Sequence, residues 1–152
     1  MNGDLLSIGT MSGYARQVGD PEGAQHDMRP DVANDALGTA VLDCLSRSRF
    51  LETEESRAAL YDFQAGQLNY QAWIERLMQF GGYKTRRALF KQMMSCSIEQ
   101  DNDTITIRPT HHEKPEGWGG KGFTPGDYVV VPVSASSAEI GAALREAFRR
   151  CT

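Results

Sequence analysis

Apolar residues recur at helical spacing over residues 33–47. Leu37, Ala40, Val41, Cys44 and Leu45 fall at i, i+3, i+4, i+7 and i+8, which puts them on one stripe facing a core. Asp31 and Asn34 are both candidates to cap the start of this helix. A second helix is expected after Thr53, with Glu54 and Glu55 in its first turn, where acids complement the helix dipole. Its inward face would be Ala59, Leu60 and Phe63, and Gly66 would end it. A third helix is predicted from about Asn69 to Phe80, with Trp73, Leu77 and Phe80 on one side and Gly81-Gly82 as the stop. The last helix is the best signalled. Ser136 and Glu139 make a capping box, and Ile140, Ala143, Leu144, Ala147 and Phe148 make its apolar stripe. Arg145, Arg149 and Arg150 lie in its later turns, where cations are favoured.

Strand signals are weaker. Leu5, Leu6 and Ile8 suggest one strand near residues 4–12, and the rest of the first 30 residues reads as loop, with turn chemistry at Gly19-Asp20-Pro21-Glu22-Gly23. The segment 84–93 fits a short helix capped by Thr85 with Ala88, Leu89 and Met93 inward, and fits an extended chain nearly as well. The period then becomes two: Met94, Cys96 and Ile98, then Ile105 and Ile107, alternate with polar residues around Asp101-Asn102-Asp103. That is the pattern of a β-hairpin with one buried face. Residues 109–127 read as a long loop rich in Gly and Pro. Tyr128-Val129-Val130-Val131 lacks alternation, which predicts a central strand covered on both faces. Taken together, the fold class is α+β, a mixed α/β sandwich. It would form one domain over residues 1–152, with a central, mainly antiparallel sheet and four to five helices packed on it.

A chain of 152 residues is large enough for a proper core without disulfides or metal. No segment reaches the ~18 consecutive apolar residues of a membrane span. Met1-Asn2-Gly3-Asp4 lacks the charged start of a secretory signal, so the expected location is the cytoplasm. Cys44, Cys96 and Cys151 are odd in number and widely spaced, which fits reduced, buried thiols. The net charge of −4 argues against a basic nucleic-acid binder but decides little else.

Several motifs resemble chemistry and fail in context. Gly117-Trp118-Gly119-Gly120-Lys121-Gly122 has the spacing of a dinucleotide-binding loop, but it neither follows a clear strand nor opens a helix, and no Ser or Thr follows Gly120-Lys121 to make a P-loop. His111-His112-Glu113 invites a metal reading. Pro115 precludes a helix, and neighbouring histidines on an extended chain point to opposite faces, so a strand end held by imidazole hydrogen bonds is the simpler account. The basic run Lys84-Thr85-Arg86-Arg87, with Tyr83, Phe90 and Lys91, reads as a solvated face before it reads as a phosphate site. Trp73 has core spacing. Trp118, in a Gly-rich stretch, is a candidate interface anchor, and packing back onto the domain is its alternative. No catalytic, cofactor-binding or metal-ligating constellation emerges.

Four segments read together in a familiar way: Leu37-Gly38-Thr39-Ala40-Val41-Leu42 with Ser46-Arg47-Ser48-Arg49-Phe50; Gly82 to Lys91 with Ser95-Cys96-Ser97-Ile98; Pro109 to Lys114; and Ile140-Gly141-Ala142-Ala143-Leu144. Over residues 12–152 the chain resembles the CdiI family, the immunity proteins of bacterial contact-dependent growth inhibition. The resemblance implies a cytosolic protein that binds the C-terminal toxin domain of its cognate CdiA protein in a one-to-one complex. It implies a toxin that is a nuclease, often acting on tRNA, and neither catalysis nor a cofactor in the immunity protein. A nuclease cleft is basic, so exposed carboxylates are the expected contacts. One set is Glu52, Glu54, Glu55 and Asp62; a second is Asp101 and Asp103 with Trp118. The alternatives are a nucleic-acid-binding module using residues 84–91 and a small metal-dependent hydrolase around His111 and His112.

Overall fold

A kinked ribbon opens the chain. In the computed structural model, which describes residues 1–152, β1 (Leu6–Gly9) pairs antiparallel with β4 (Gln25–Met28), and β2 (Met11–Gly13) with β3 (Gln17–Gly19). Thr10 sits at the kink. Its amide donates to the Ala24 carbonyl, and its hydroxyl donates to the Cys44 carbonyl and accepts from the Ala24 amide. The single strand expected near residues 4–12 is therefore two strands. The loop-like reading of the remaining N-terminal residues is also corrected. Gln25-His26-Asp27-Met28 has no apolar alternation; side chains hold it instead, with Ser7 and Arg76 donating to Asp27 at 2.7 and 2.6 Å and His26 bonded to Asp43 at 2.8 Å.

Helix α1 (Asn34–Ser46) and the last helix α5 (Ser137–Arg150) cross at two glycines. A Cβ on Gly38 would lie 1.8 Å from the Ser137 carbonyl oxygen, and one on Gly141 would lie 2.0 Å from that of Asn34. Only a missing side chain on each helix allows this approach. Neither Asp31 nor Asn34 caps α1: the N-cap is Ala33, without a side-chain bond. The Asn34 side chain instead accepts from Arg145 Nε at 2.8 Å, and the same guanidinium reaches the carbonyls of Pro30 and Val32. An arginine of α5 thus holds the segment that enters α1. The predicted capping box at Ser136 and Glu139 is present.

The middle of the chain departs further from expectation. Helix α2 (Glu54–Leu60) is capped by Thr53, and helix α3 (Phe63–Gly81) starts well before residue 69. Asp62 is its N-cap, accepting from the Ala65 amide at 2.7 Å, so a new helix begins before Gly66 can end the old one. Gly66 lies exposed within α3, and the expected inward face of Ala59 and Phe63 lies on the surface, as does Phe80. Ile74 and Leu77 are the buried positions of α3, which ends at Gly82 in the left-handed conformation (φ 72°). Helix α4 (Arg86–Phe90) carries the predicted Thr85 cap; Leu89, Phe90 and Met93 are buried, whereas Ala88 faces solvent.

Strands β5 (Cys96–Gln100), β6 (Thr104–Pro109) and β9 (Val129–Pro132) form an antiparallel sheet in the order β5-β6-β9. The valine run is therefore an edge strand, not a central one. Val129 and Val131 pack on the core while Val130 is 53% exposed. Valine on both faces erased the alternation that would have shown this. Half of the expected long loop is a hairpin, β7 (His111–Lys114) with β8 (Gly117–Gly119), followed by a 3-10 turn at Pro125–Asp127. Five helices and four antiparallel sheets agree with the α+β class.

Two apolar clusters hold these layers together. The larger joins Leu6 and Ile8 of β1, Leu37 and Val41 of α1, Ile105 and Ile107 of β6, and Ile140, Leu144 and Phe148 of α5. The smaller joins Leu5, Ile74, Leu77, Leu89, Phe90 and Met93. No helix is long and apolar enough to cross a membrane.

Candidate partner-binding surface

Around α2 the chain presents both charge and apolar surface. The segment 49–51 runs beside β2, with Gly13 donating to the Arg49 carbonyl and accepting from the Leu51 amide. Leu51 turns inward and Phe50 outward, its ring 5.2 Å from that of Tyr14. Tyr61 closes the far end of α2: its hydroxyl donates to the Arg16 carbonyl at 2.7 Å and accepts from the Tyr14 amide at 3.0 Å. Arg57 lies over the Tyr14 ring and Arg16 over the Tyr61 ring. The helix is thus clamped by its ends and buries none of its own residues. Glu52, Glu54, Glu55 and Asp62 are all exposed, and Phe50 (64%), Phe63 (74%) and Leu68 (71%) are exposed beside them in the chain. Sequence periodicity placed Phe63 inside. The signal it missed was Asp62, a cap residue three positions before the amide it serves.

Arg49, itself exposed, pairs with a buried carboxylate. Asp20 is 2% exposed and accepts from Arg49 Nε and Nη2 at 2.8 Å each and from Ser12 Oγ at 2.6 Å. Burial alone would raise the Asp20 pKa. The bonds from Arg49, Ser12 and the Glu22 amide outweigh it and hold the carboxyl below its usual value. Arg49 also reaches Glu22 at 2.7 Å.

The second acidic set is spread out. Asp101 is occupied in the β5–β6 turn, where one carboxylate oxygen accepts from the Asp103 and Thr104 amides and the Thr104 hydroxyl, and these bonds lower its pKa. Asp103 is exposed at the same turn. Trp118 is at the other end of the sheet. Asp101 adjoins the Gln100–Ile105 pair, whereas Trp118 bonds Met93, which precedes β5, and pairs with His112, which follows β6, so about the length of β6, roughly 20 Å, separates them. Trp118 is half-buried: its indole donates to the Met93 carbonyl at 2.6 Å, its ring stacks on His112 at 5.1 Å, and it tilts against Phe90 at 5.9 Å.

The motifs with catalytic overtones are engaged otherwise. His111 stacks on Phe123 and bonds Thr152, His112 stacks on Trp118, and no group of three His, Cys, Asp or Glu side chains converges on one point. Gly117 and Gly119 flank Trp118 within β8, and no helix follows them closely enough to hold a phosphate. In the basic segment, Arg86 pairs with Glu116 at 3.0 Å and lies over Tyr70.

Comparison with known proteins gives this surface a context. The family model for CdiI, the CDI immunity protein, matches residues 1–151. The match includes the N-terminal ribbon, which lay largely outside the segments carrying the sequence resemblance. The immunity protein CdiI-YPIII of Yersinia pseudotuberculosis serotype O:3 (strain YPIII) is 44% identical over an alignment of 162 positions, covering 99% of this chain and 92% of the relative. The solved CdiA-CT/CdiI toxin and immunity complex from Yersinia pseudotuberculosis contains a chain that superposes with a TM-score of 0.91 at 41% identity, covering 100% of this chain and 94% of that one. A protein of unknown function from Neisseria meningitidis, NMB0488, superposes with a TM-score of 0.90 at 36% identity, covering 100% and 92%. With a family match along almost its whole length and a relative this similar over the same span, the chain belongs to the CDI immunity protein family.

Proposed function

We propose that this protein binds and neutralises the C-terminal toxin domain of its cognate CdiA protein, in a one-to-one complex formed in the cytoplasm, and that the toxin is a nuclease. The observation that carries the reading is the superposition, at 41% identity over the full chain, on a chain of a toxin and immunity complex. The nuclease assignment comes from the family resemblance, and the surface charge suits it. A cleft that grips phosphates is basic, and carboxylates held before it attract it at long range and pair with the cations that would hold phosphates. The surface around α2 supplies Glu52, Glu54, Glu55 and Asp62 together with exposed Phe50, Phe63 and Leu68, an acidic rim beside apolar anchors. Asp101, Asp103 and Trp118 offer two further contact points at opposite ends of β6, for a toxin broad enough to span them.

Titration of the purified protein with the C-terminal domain of the CdiA encoded beside it tests the reading. The expected result is a one-to-one complex with a Kd on the order of nanomolar, about −12 kcal/mol, burying roughly 1,200–2,000 Å². RNA or DNA cleavage by the toxin domain should stop at the equivalence point. Absence of a complex would overturn the proposal, and a complex with a toxin that cleaves no nucleic acid would overturn its nuclease part.

A further inference from the structure

We infer that Cys96 and Cys151 are a modification site: a dithiol that a peroxide oxidant converts to an intramolecular disulfide, tying the end of α5 to the first strand of the three-stranded sheet. The two sulfurs lie 3.5 Å apart, although 55 residues separate them in the chain. A disulfide requires about 2.05 Å, so an approach of roughly 1.5 Å completes the bond. Cys151 can supply that movement. It has left the helix, with extended backbone angles (φ −67°, ψ 145°), and the following Thr152 is laid against the strands, donating to Thr110 O and accepting from His112 N.

The surroundings favour reaction at Cys151. A surface cleft of about 340 Å³, lined by Met1, Met94, Arg145, Phe148, Arg149 and Cys151, reaches this residue. The bond from Cys96, then the Thr110 and Ser95 backbone contacts and the nearby amino terminus, draw the Cys151 thiol down to about 6 against the opposing effect of burial. Cys96, facing that thiolate in a buried position, is pushed up and keeps its proton. One sulfur is thus the nucleophile and the other the resolving thiol. Cys44 is different in kind: it is a buried member of the larger cluster, and its thiol donates to the Ala24 carbonyl rather than to another sulfur.

The chemistry balances with hydrogen peroxide as oxidant. The Cys151 thiolate displaces one oxygen of the peroxide, the O–O bond breaks, and with one proton the products are a sulfenic acid and water. The Cys96 sulfur then attacks the sulfenic sulfur, an S–S bond forms, the S–O bond breaks, and the Cys96 proton leaves with the hydroxide as a second water. Two thiols lose two electrons and two protons, and the peroxide takes them up. A small-molecule thiol reverses the bond by exchange.

The test is peroxide treatment of the full chain, followed by thiol labelling under denaturing conditions and peptide mass mapping. The expected result is that free thiols fall from three to one, with the 96–151 cross-link in a monomer and Cys44 still labelled. C44S should behave like the parent, whereas C151S and C96S should form no cross-link. A cross-link closing so long a loop should raise the Tm by about 5–10 °C. Three free thiols after treatment, a bond involving Cys44, or a bond between two chains would each overturn the inference. Because mapping of the unsubstituted chain decides the result, a serine variant that folds poorly leaves the test intact.

Discussion

Leu5 and Leu6 are neighbours in sequence, both are sealed from solvent, and each belongs to a different apolar cluster. An extended backbone sends successive side chains to opposite faces, so this one dipeptide joins the α3–α4 cluster to the α1–α5 cluster. Leu5→Ala and Leu6→Ala should each cost about 2–5 kcal/mol, the range for emptying a buried leucine site. Hydrogen exchange should separate them, with L5A loosening amides in α3 and α4 first and L6A those in α1 and α5. Identical exchange patterns would mean that the clusters unfold as one.

The α1–α5 crossing makes a second prediction. Gly38→Ala or Gly141→Ala places a methyl within about 2 Å of a backbone carbonyl oxygen, which no rotamer change relieves. Each substitution should cost about 3 kcal/mol, the upper part of the usual range for overpacking, although alanine is the better helix former. Urea denaturation of either variant measures this; a stabilised G38A would show that the helices separate freely.

Acid should weaken the protein through Asp20. Its folded pKa lies below the ordinary value of 3.8, so its contribution is fully present above pH 3.8 and is lost as the pH falls through the folded value. Asp20→Asn should lower stability at neutral pH by about 2 kcal/mol, typical of a lost bond to a charged group, and should flatten the acid limb of the stability curve. An unchanged acid limb in D20N would remove Asp20 from its causes.

The binding surface can be tested without disturbing helix caps. Glu52→Gln, Glu54→Gln, Glu55→Gln and Asp62→Asn together remove charge while the asparagine still caps α3. Association with the toxin domain should slow by about 10–100-fold at low ionic strength, and the difference should shrink as salt is added. A quadruple variant that associates normally, beside a slowed D101N/D103N, would move the contact to the β5–β6 turn.

Trp118→Phe separates packing from recognition. It keeps a ring against His112 and Phe90 and removes the bond to the Met93 carbonyl, at a cost of about 1–2 kcal/mol in stability. Toxin affinity that falls well beyond that stability loss would make the indole an interface anchor; unchanged affinity would make it a clamp for the smaller cluster.

Where several signals coincided, the fold was legible in the sequence. Helix α5 announces itself through the Ser136–Glu139 box and an unbroken stripe, and β5–β6 through alternation on both sides of a turn. Several elements of three or four residues were not legible, among them β3, β4 and β8. Strand β4 is polar but for Met28 and depends on Arg76 and Asp43, which arrive from distant helices. In the valine run, edge and centre look alike because valine suits both the covered and the open face. The candidate surface was half legible: its acids could be named as exposed, while Phe63 was assigned to a core face. Helical periodicity reports which residues share a face, and tertiary packing decides which face is covered.

Helix α2 contributes nothing to either cluster and is tied to the N-terminal ribbon through Tyr61 and through Arg57 over the Tyr14 ring. Its outward positions can therefore change identity at almost no cost to the rest of the molecule. On the proposed contact, a lineage whose toxin alters its surface can answer there, one residue at a time, without putting the capacity to fold at risk.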